Sequence, residues 1–144
     1  MRVTRRYRFA ASHRLHSDKL TEQENRELYG KCNNPYGHGH DYILEVTVAG
    51  PRDSATGLVI QVRLLDKLVS EQVLRDFDHR YFNADVREFA ELVPTSENII
   101  RVIQGRLKAG WKAMFPGAWP RLDKVRLQET KRNSFQSSES ETTR

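Results

Sequence analysis

Residues 2 to 13 and 40 to 49 alternate between two faces, and this most constrains what the chain can fold into. Tyr7, Phe9, Ala11 and His13 share one side of the first stretch; Tyr42, Leu44, Val46 and Val48 share one side of the second. A period of two with one apolar face demands a sheet covered on one side only. Both apolar faces end on histidines, at His13 and at His40, so polar ring nitrogens stand at the edge of a predicted core.

The rest of the chain supplies the cover. Thr21 followed by Glu24 is the signature of a capped short helix that Gly30 ends. Leu65, Leu68, Val69 and Val73 recur every three or four residues, which predicts an amphipathic helix over 63 to 75. Pro94-Thr95-Ser96-Glu97-Asn98 reads as a second helix start, with Ile99, Val102, Ile103 and Leu107 behind it and Gly110 as its stop. Residues 57 to 62 are predicted as a short strand and 124 to 129 as another, the latter aiming Glu129 the same way as Val125 and Leu127; 134 to 136 form a brief last strand. The expected order is β, short α, β, β, α, α, β: one α+β domain over residues 1–136, then a polar tail at 137–144.

Composition narrows the function. With 38% apolar and 30% charged residues, the core is lean for 144 residues, so burial is expected to draw on partner subunits. The excess of five positive charges suits an anionic partner. The basic residues are scattered without an interleaved aromatic platform, which favours a small anion over nucleic acid. No apolar run reaches the roughly 20 residues of a membrane span, and the start lacks a secretory stretch, so a cytoplasmic location is expected.

His38-Gly39-His40 carries the most chemistry, because residues two apart on a strand face the same way and can offer two imidazoles to one metal. His13 could be a third ligand. Taken alone the triplet could equally be solvated loop, and the lone Cys32 just ahead of it admits a closed structural site of one cysteine and three histidines. Asp78-His79 pairs an acid with an imidazole, as proton-transfer groups are paired, or is a plain loop after a helix. Glu129 on an apolar face needs a partner, either an arginine or the edge of a ligand.

Arg8-Phe9-Ala10-Ala11-Ser12-His13, the run GKCNNPYGHGHDY from Gly30 to Tyr42, Asp78-His79, Thr95-Ser96-Glu97-Asn98 and Glu129-Thr130, in that order, resemble the 6-pyruvoyl-tetrahydropterin synthase and 6-carboxy-tetrahydropterin synthase family over residues 5 to about 135. The resemblance implies the tunnelling fold: an antiparallel sheet with helices on one side, joined into a barrel in a homohexamer whose active sites lie between subunits. It implies a zinc ion on His13, His38 and His40, with Cys32 as general base and Asp78 and His79 as its proton relay. Glu129 is implied to grip the pterin edge with support from Thr95 and Glu97. The substrate would be a pterin triphosphate, with magnesium accompanying the phosphates.

The implied reaction converts 7,8-dihydroneopterin triphosphate to 6-pyruvoyl-tetrahydropterin. The spacing of Cys32 from the HGH triplet looks like the pyruvoyl branch, since the carboxy branch, of the queuosine and deazapurine pathway, commonly places its cysteine closer. Gln61 departs from the acidic or asparagine residue that many relatives carry there. Two readings from other classes stand beside this one: a zinc-stabilised binding module, and metal-assisted hydrolysis of a phosphorylated metabolite.

Overall fold

A computed structural model describes residues 1–138. Its centre is a five-stranded sheet in the order β3-β1-β2-β4-β5. The strands are β1 (Arg2–His13), β2 (His38–Ala49), the two-residue β3 (Arg80–Tyr81), β4 (Arg121–Gln128) and β5 (Ser134–Ser138). All neighbours run antiparallel except β3, which adds parallel to β1 at Ala11 and Ser12. The helices are α1 (Glu22–Tyr29), α2 (Val62–Val69), α3 (Arg75–Phe77), α4 (Phe82–Asp85) and α5 (Ser96–Met114). A π-helical turn, Ser70–Leu74, fuses α2 to α3.

The alternation of β1 and β2 becomes one buried face. Phe9, Tyr42, Leu44, Val46 and Val48 lie under α2 and α5, together with Val125 and Leu127 of β4 and Leu65, Val69, Ile99, Ile103 and Leu107 of the helices. Thr21 and Glu24 form the predicted capping box of α1, each side chain bonding the other's backbone N–H at 3.1 Å. The last strand runs to Ser138, so Ser137 and Ser138, read from sequence as tail, belong to the sheet; Ser137 is buried and its Oγ donates to Gln104 at 2.6 Å. The remainder of that predicted tail lies outside the described residues.

Residues 57 to 62 and Gly110 also depart from the sequence expectation. Residues 57 to 62 form no strand. Their loop folds on Asp53 instead: its carboxylate accepts from the backbone of Ala55 and Thr56, its N–H donates to Leu58, and Gly57 takes a φ of +75°. The apolar residues that mimicked a strand, Val59 and Ile60, close over the core from this loop. Nor does Gly110 stop α5, which continues to Met114. The glycine lets the helix approach its neighbour, since a Cβ there would lie 2.9 Å from Leu68 Cδ1.

Among the described residues, no helix is long and apolar enough to cross a membrane.

Candidate metal and substrate site

The site forms where β1 ends and β2 begins. Antiparallel pairing sets Phe9 opposite Tyr42, Ala11 opposite His40 and His13 opposite His38, so the three histidines share the helix-covered face. The His13 and His40 rings stand 5.1 Å apart, centre to centre, and those of His38 and His40 4.7 Å apart. One ring nitrogen each of His13 and His40 and the sulfur of Cys32 all lie within 4.8 Å of one another. This close triad contains the sulfur, while His38 flanks it through its contact with His40.

Cys32 reaches the histidines because its loop is pinned at both sides. The turn Gly30–Asn33 follows directly on α1, and Gly30 at φ +54° reverses the chain. Leu15 N–H donates to the Cys32 carbonyl at 2.7 Å, and the Asn33 side chain donates to Leu15 O at 2.8 Å. Gly37, at φ +84°, returns the chain into β2; a Cβ there would sit 3.1 Å from the Tyr81 ring.

The electrostatics suit a cation. His13 is 0% exposed, and its Nδ1 meets the Pro94 carbonyl oxygen at 2.8 Å. A carbonyl only accepts, so Nδ1 carries the proton and Nε2 presents its lone pair. Nε2 of His13 and Nε2 of His40 are buried without a hydrogen-bond partner among the described residues. Burial pushes both imidazoles below their usual pKa, which keeps them neutral, as metal ligands must be. Two buried, neutral, unpartnered nitrogens beside a thiol are a donor set that fits zinc.

Glu129 borders the cluster. It follows β4 and approaches to 4.0 Å from His40 Nε2, and the Ser96 hydroxyl donates to its other carboxylate oxygen. Burial and, secondarily, the nearby Glu129 charge push the Cys32 thiol above its usual range in the metal-free chain. A bound cation would act in the opposite sense.

The remaining predicted residues are placed as follows. Thr95 is the N-cap of α5, its hydroxyl accepting from Asn98 N–H at 3.2 Å, and Glu97 is exposed on the first helical turn. Asp78 and His79 engage the edge of β1 rather than Cys32. The Asp78 carboxylate accepts from Ala10 N–H at 3.0 Å, and His79 N–H donates to Ala10 O at 2.6 Å. This clamp holds His79 at φ +60°, uncommon for a residue with a Cβ, and leaves its ring 82% exposed. Sequence reasoning missed Ser96 and the Pro94 carbonyl. Both sit in the helix-start motif, but a cap motif does not reveal which of its groups turn inward.

Comparison with known proteins covers nearly the whole chain. Residues 2–140 match the family described as 6-pyruvoyl tetrahydropterin synthase. The 6-pyruvoyl tetrahydrobiopterin synthase of Homo sapiens is 44% identical over 131 residues, covering 91% of this chain and 86% of that protein. That of Poecilia reticulata is 42% identical over 131 residues, covering 91% and 85%. The structure of Caenorhabditis elegans 6-pyruvoyl tetrahydropterin synthase superposes with a TM-score of 0.87 at 38% identity, covering 97% of this chain and 96% of that one. Matched in sequence and in fold over nearly its whole length, the chain belongs to the 6-pyruvoyl tetrahydropterin synthase family.

Proposed function

We propose that this protein is a zinc-dependent 6-pyruvoyl-tetrahydropterin synthase, a lyase that removes triphosphate from 7,8-dihydroneopterin triphosphate. The observation that carries the reading is the pair of buried, unpartnered Nε2 atoms of His13 and His40 beside the Cys32 sulfur, with Glu129 at their border. The names of the relatives at 42% and 44% identity support the pyruvoyl product over the carboxy one.

In this reading His13, His40 and His38 would hold the metal, and zinc would supply Lewis acidity toward the oxygens of the substrate side chain. Glu129, steadied by Ser96, accepts from the amino-pyrimidine edge of the pterin and fixes its direction. Cys32 takes a carbon-bound proton next to those oxygens and returns it elsewhere on the side chain. Triphosphate leaves and the hydrogens redistribute within the molecule, so no external reductant is consumed; magnesium would accompany the phosphates.

Asp78 and His79 complete the relay in an assembly. In one chain they clamp the edge of β1, and the exposed imidazole is available to the cysteine of a neighbouring subunit. β3 covers only Ala11 and Ser12, and β5 ends the sheet on the other side. Edges of this kind, with a lean core, support closure into a barrel by partner strands and a homohexamer.

The test is incubation of zinc-loaded protein with dihydroneopterin triphosphate and identification of the pterin by mass. Release of triphosphate with the 6-pyruvoyl product is expected; the 6-carboxy product would move the protein to the other branch, and unchanged substrate would refute both. The closeness of the Cys32 sulfur to both histidines favours one second reading, a closed structural zinc site. Cys32→Ala separates the two: the enzyme keeps stoichiometric zinc and loses turnover, whereas a structural site loses zinc and fold together.

A further inference from the structure

The hydroxyl of Tyr42 is out of place for a core residue. Tyr42 is 0% exposed, stacked on Phe9 at 5.0 Å and 14° and tilted against Phe82 at 6.0 Å, so the ring is fixed on both sides. Phenylalanine would fill the same space. Yet the chain buries a phenolic oxygen there with no hydrogen-bond partner among the described groups. A buried polar group left unpaired is costly, and native structures keep few of them.

The position of that oxygen explains it. Tyr42 follows His40 by two residues on β2 and shares its face, with the rings 5.6 Å apart. Four buried side-chain atoms lack a partner among the described residues: Nε2 of His13, Nε2 of His40, the Tyr42 hydroxyl and Nε2 of Gln104. The first three belong to one corner of one sheet face, and Gln104 stands apart on α5, bonded to Ser137. A phenol carries its proton at neutral pH, so the Tyr42 oxygen has a hydrogen to donate.

We propose that the Tyr42 hydroxyl is a further substrate-contacting group, donating a hydrogen bond to a side-chain oxygen of the pterin held at the His13–His40 cluster. This rests on the pterin synthase reading. It explains why a donor is kept unpaired: its partner arrives with the substrate, and the phenol then discriminates for a hydroxylated side chain.

The experiment compares zinc-loaded wild type with Tyr42→Phe in direct calorimetric binding of two unreactive pterins. One is 7,8-dihydroneopterin, whose side chain carries hydroxyls; the other is 7,8-dihydro-6-methylpterin, which has none. Y42F is expected to keep its zinc, to melt no lower than wild type, and to bind dihydroneopterin roughly 10-fold more weakly while binding the methyl compound unchanged. Equal affinity for dihydroneopterin, or an equal loss on both pterins, overturns the proposal and leaves the synthase reading intact. A melting temperature well below wild type also overturns it, because the hydroxyl then has an internal partner. Failure of wild type to bind either pterin sinks the synthase reading itself, and this proposal with it.

Discussion

His13 meets the Pro94 carbonyl oxygen through Nδ1 at 2.8 Å, across 81 residues of sequence. The contact joins the end of β1 to the turn that starts α5, and it decides which ring nitrogen faces Cys32 and His40. The ring proposed to hold the metal is thereby oriented by a backbone group that substitution cannot remove.

His13→Asn separates orientation from ligation. The asparagine amide can take the place of Nδ1 and still donate to Pro94 O, but nothing replaces Nε2. Zinc affinity, measured by chelator competition, is expected to fall by more than the roughly 10–100-fold that loss of an outer partner costs. The metal-free variant should melt near the metal-free wild type. Unchanged zinc affinity would remove His13 from the ligand set.

Alkylation of Cys32 reports what the sulfur does. In the metal-free chain, burial and Glu129 raise the thiol pKa, so iodoacetamide should react more slowly than with a free cysteine at the same pH. If the sulfur stands beside the metal without binding it, zinc lowers that pKa and speeds alkylation. Protection by zinc would mean that the sulfur is a ligand, as in a closed site.

Ser96→Ala leaves the Glu129 carboxylate without its hydroxyl donor in a position that is 3% exposed. The carboxylate is then free to turn away from the pterin edge it is proposed to grip. The expected outcome is a KM raised roughly 10-fold, the worth of one charge-assisted hydrogen bond, with zinc content unaltered. An unchanged KM would place pterin recognition elsewhere.

The site and fold were unequally legible from the residues. Strand alternation located β1 and β2 and, through them, the shared face of His13, His38 and His40, because a period of two determines facing directly. The capping box at Thr21 was legible for the same reason: its geometry is local. Residues 57 to 62 misled, since apolar spacing alone cannot tell a ladder strand from a loop lid, and the Asp53 contacts that decide it are made by side chain and backbone together. The place of Asp78 and His79 was hidden because their partner, Ala10, is a backbone position 68 residues away from Asp78. The missing hydrogen-bond partner of Tyr42 could not be read at all, because only a packed structure shows which hydroxyl goes unanswered.

Gly110→Ala sets two effects against each other. Alanine improves helix propensity by about 1 kcal/mol. Its methyl would lie 2.9 Å from Leu68 Cδ1 and 3.2 Å from Gln72 at the crossing of α5 with α2 and the π turn, and Leu68 is itself packed. Overpacking of a filled contact costs roughly 1–3 kcal/mol, so the variant should be less stable by about 1 kcal/mol, read as a lower urea midpoint at unchanged slope. A midpoint at or above wild type would show that the crossing can open.

Arg106 ties α5 to the segment that carries Asp78 and His79, and through Glu88 this tie makes part of the fold's stability depend on pH. Its guanidinium gives two 2.7 Å bonds to Glu88, one of 2.6 Å to Asp76 and one of 3.1 Å to Gln72 O, and lies over the Phe77 ring at 5.2 Å. The hydrogen bonds from Arg106 hold the Glu88 carboxyl below its ordinary value of 4.5. The folded protein therefore binds this proton less readily than the unfolded chain does. The stabilisation is complete above the unfolded value and is lost as pH falls through the lower, folded one. Glu88→Gln removes the ionisation while keeping the side chain's shape. It should lower stability at pH 7 by roughly 1–2 kcal/mol and flatten the decline as pH falls below about 5. Urea unfolding at several pH values reads both effects, and a Glu88→Gln protein whose acid decline parallels wild type would show that other carboxylates set the limit.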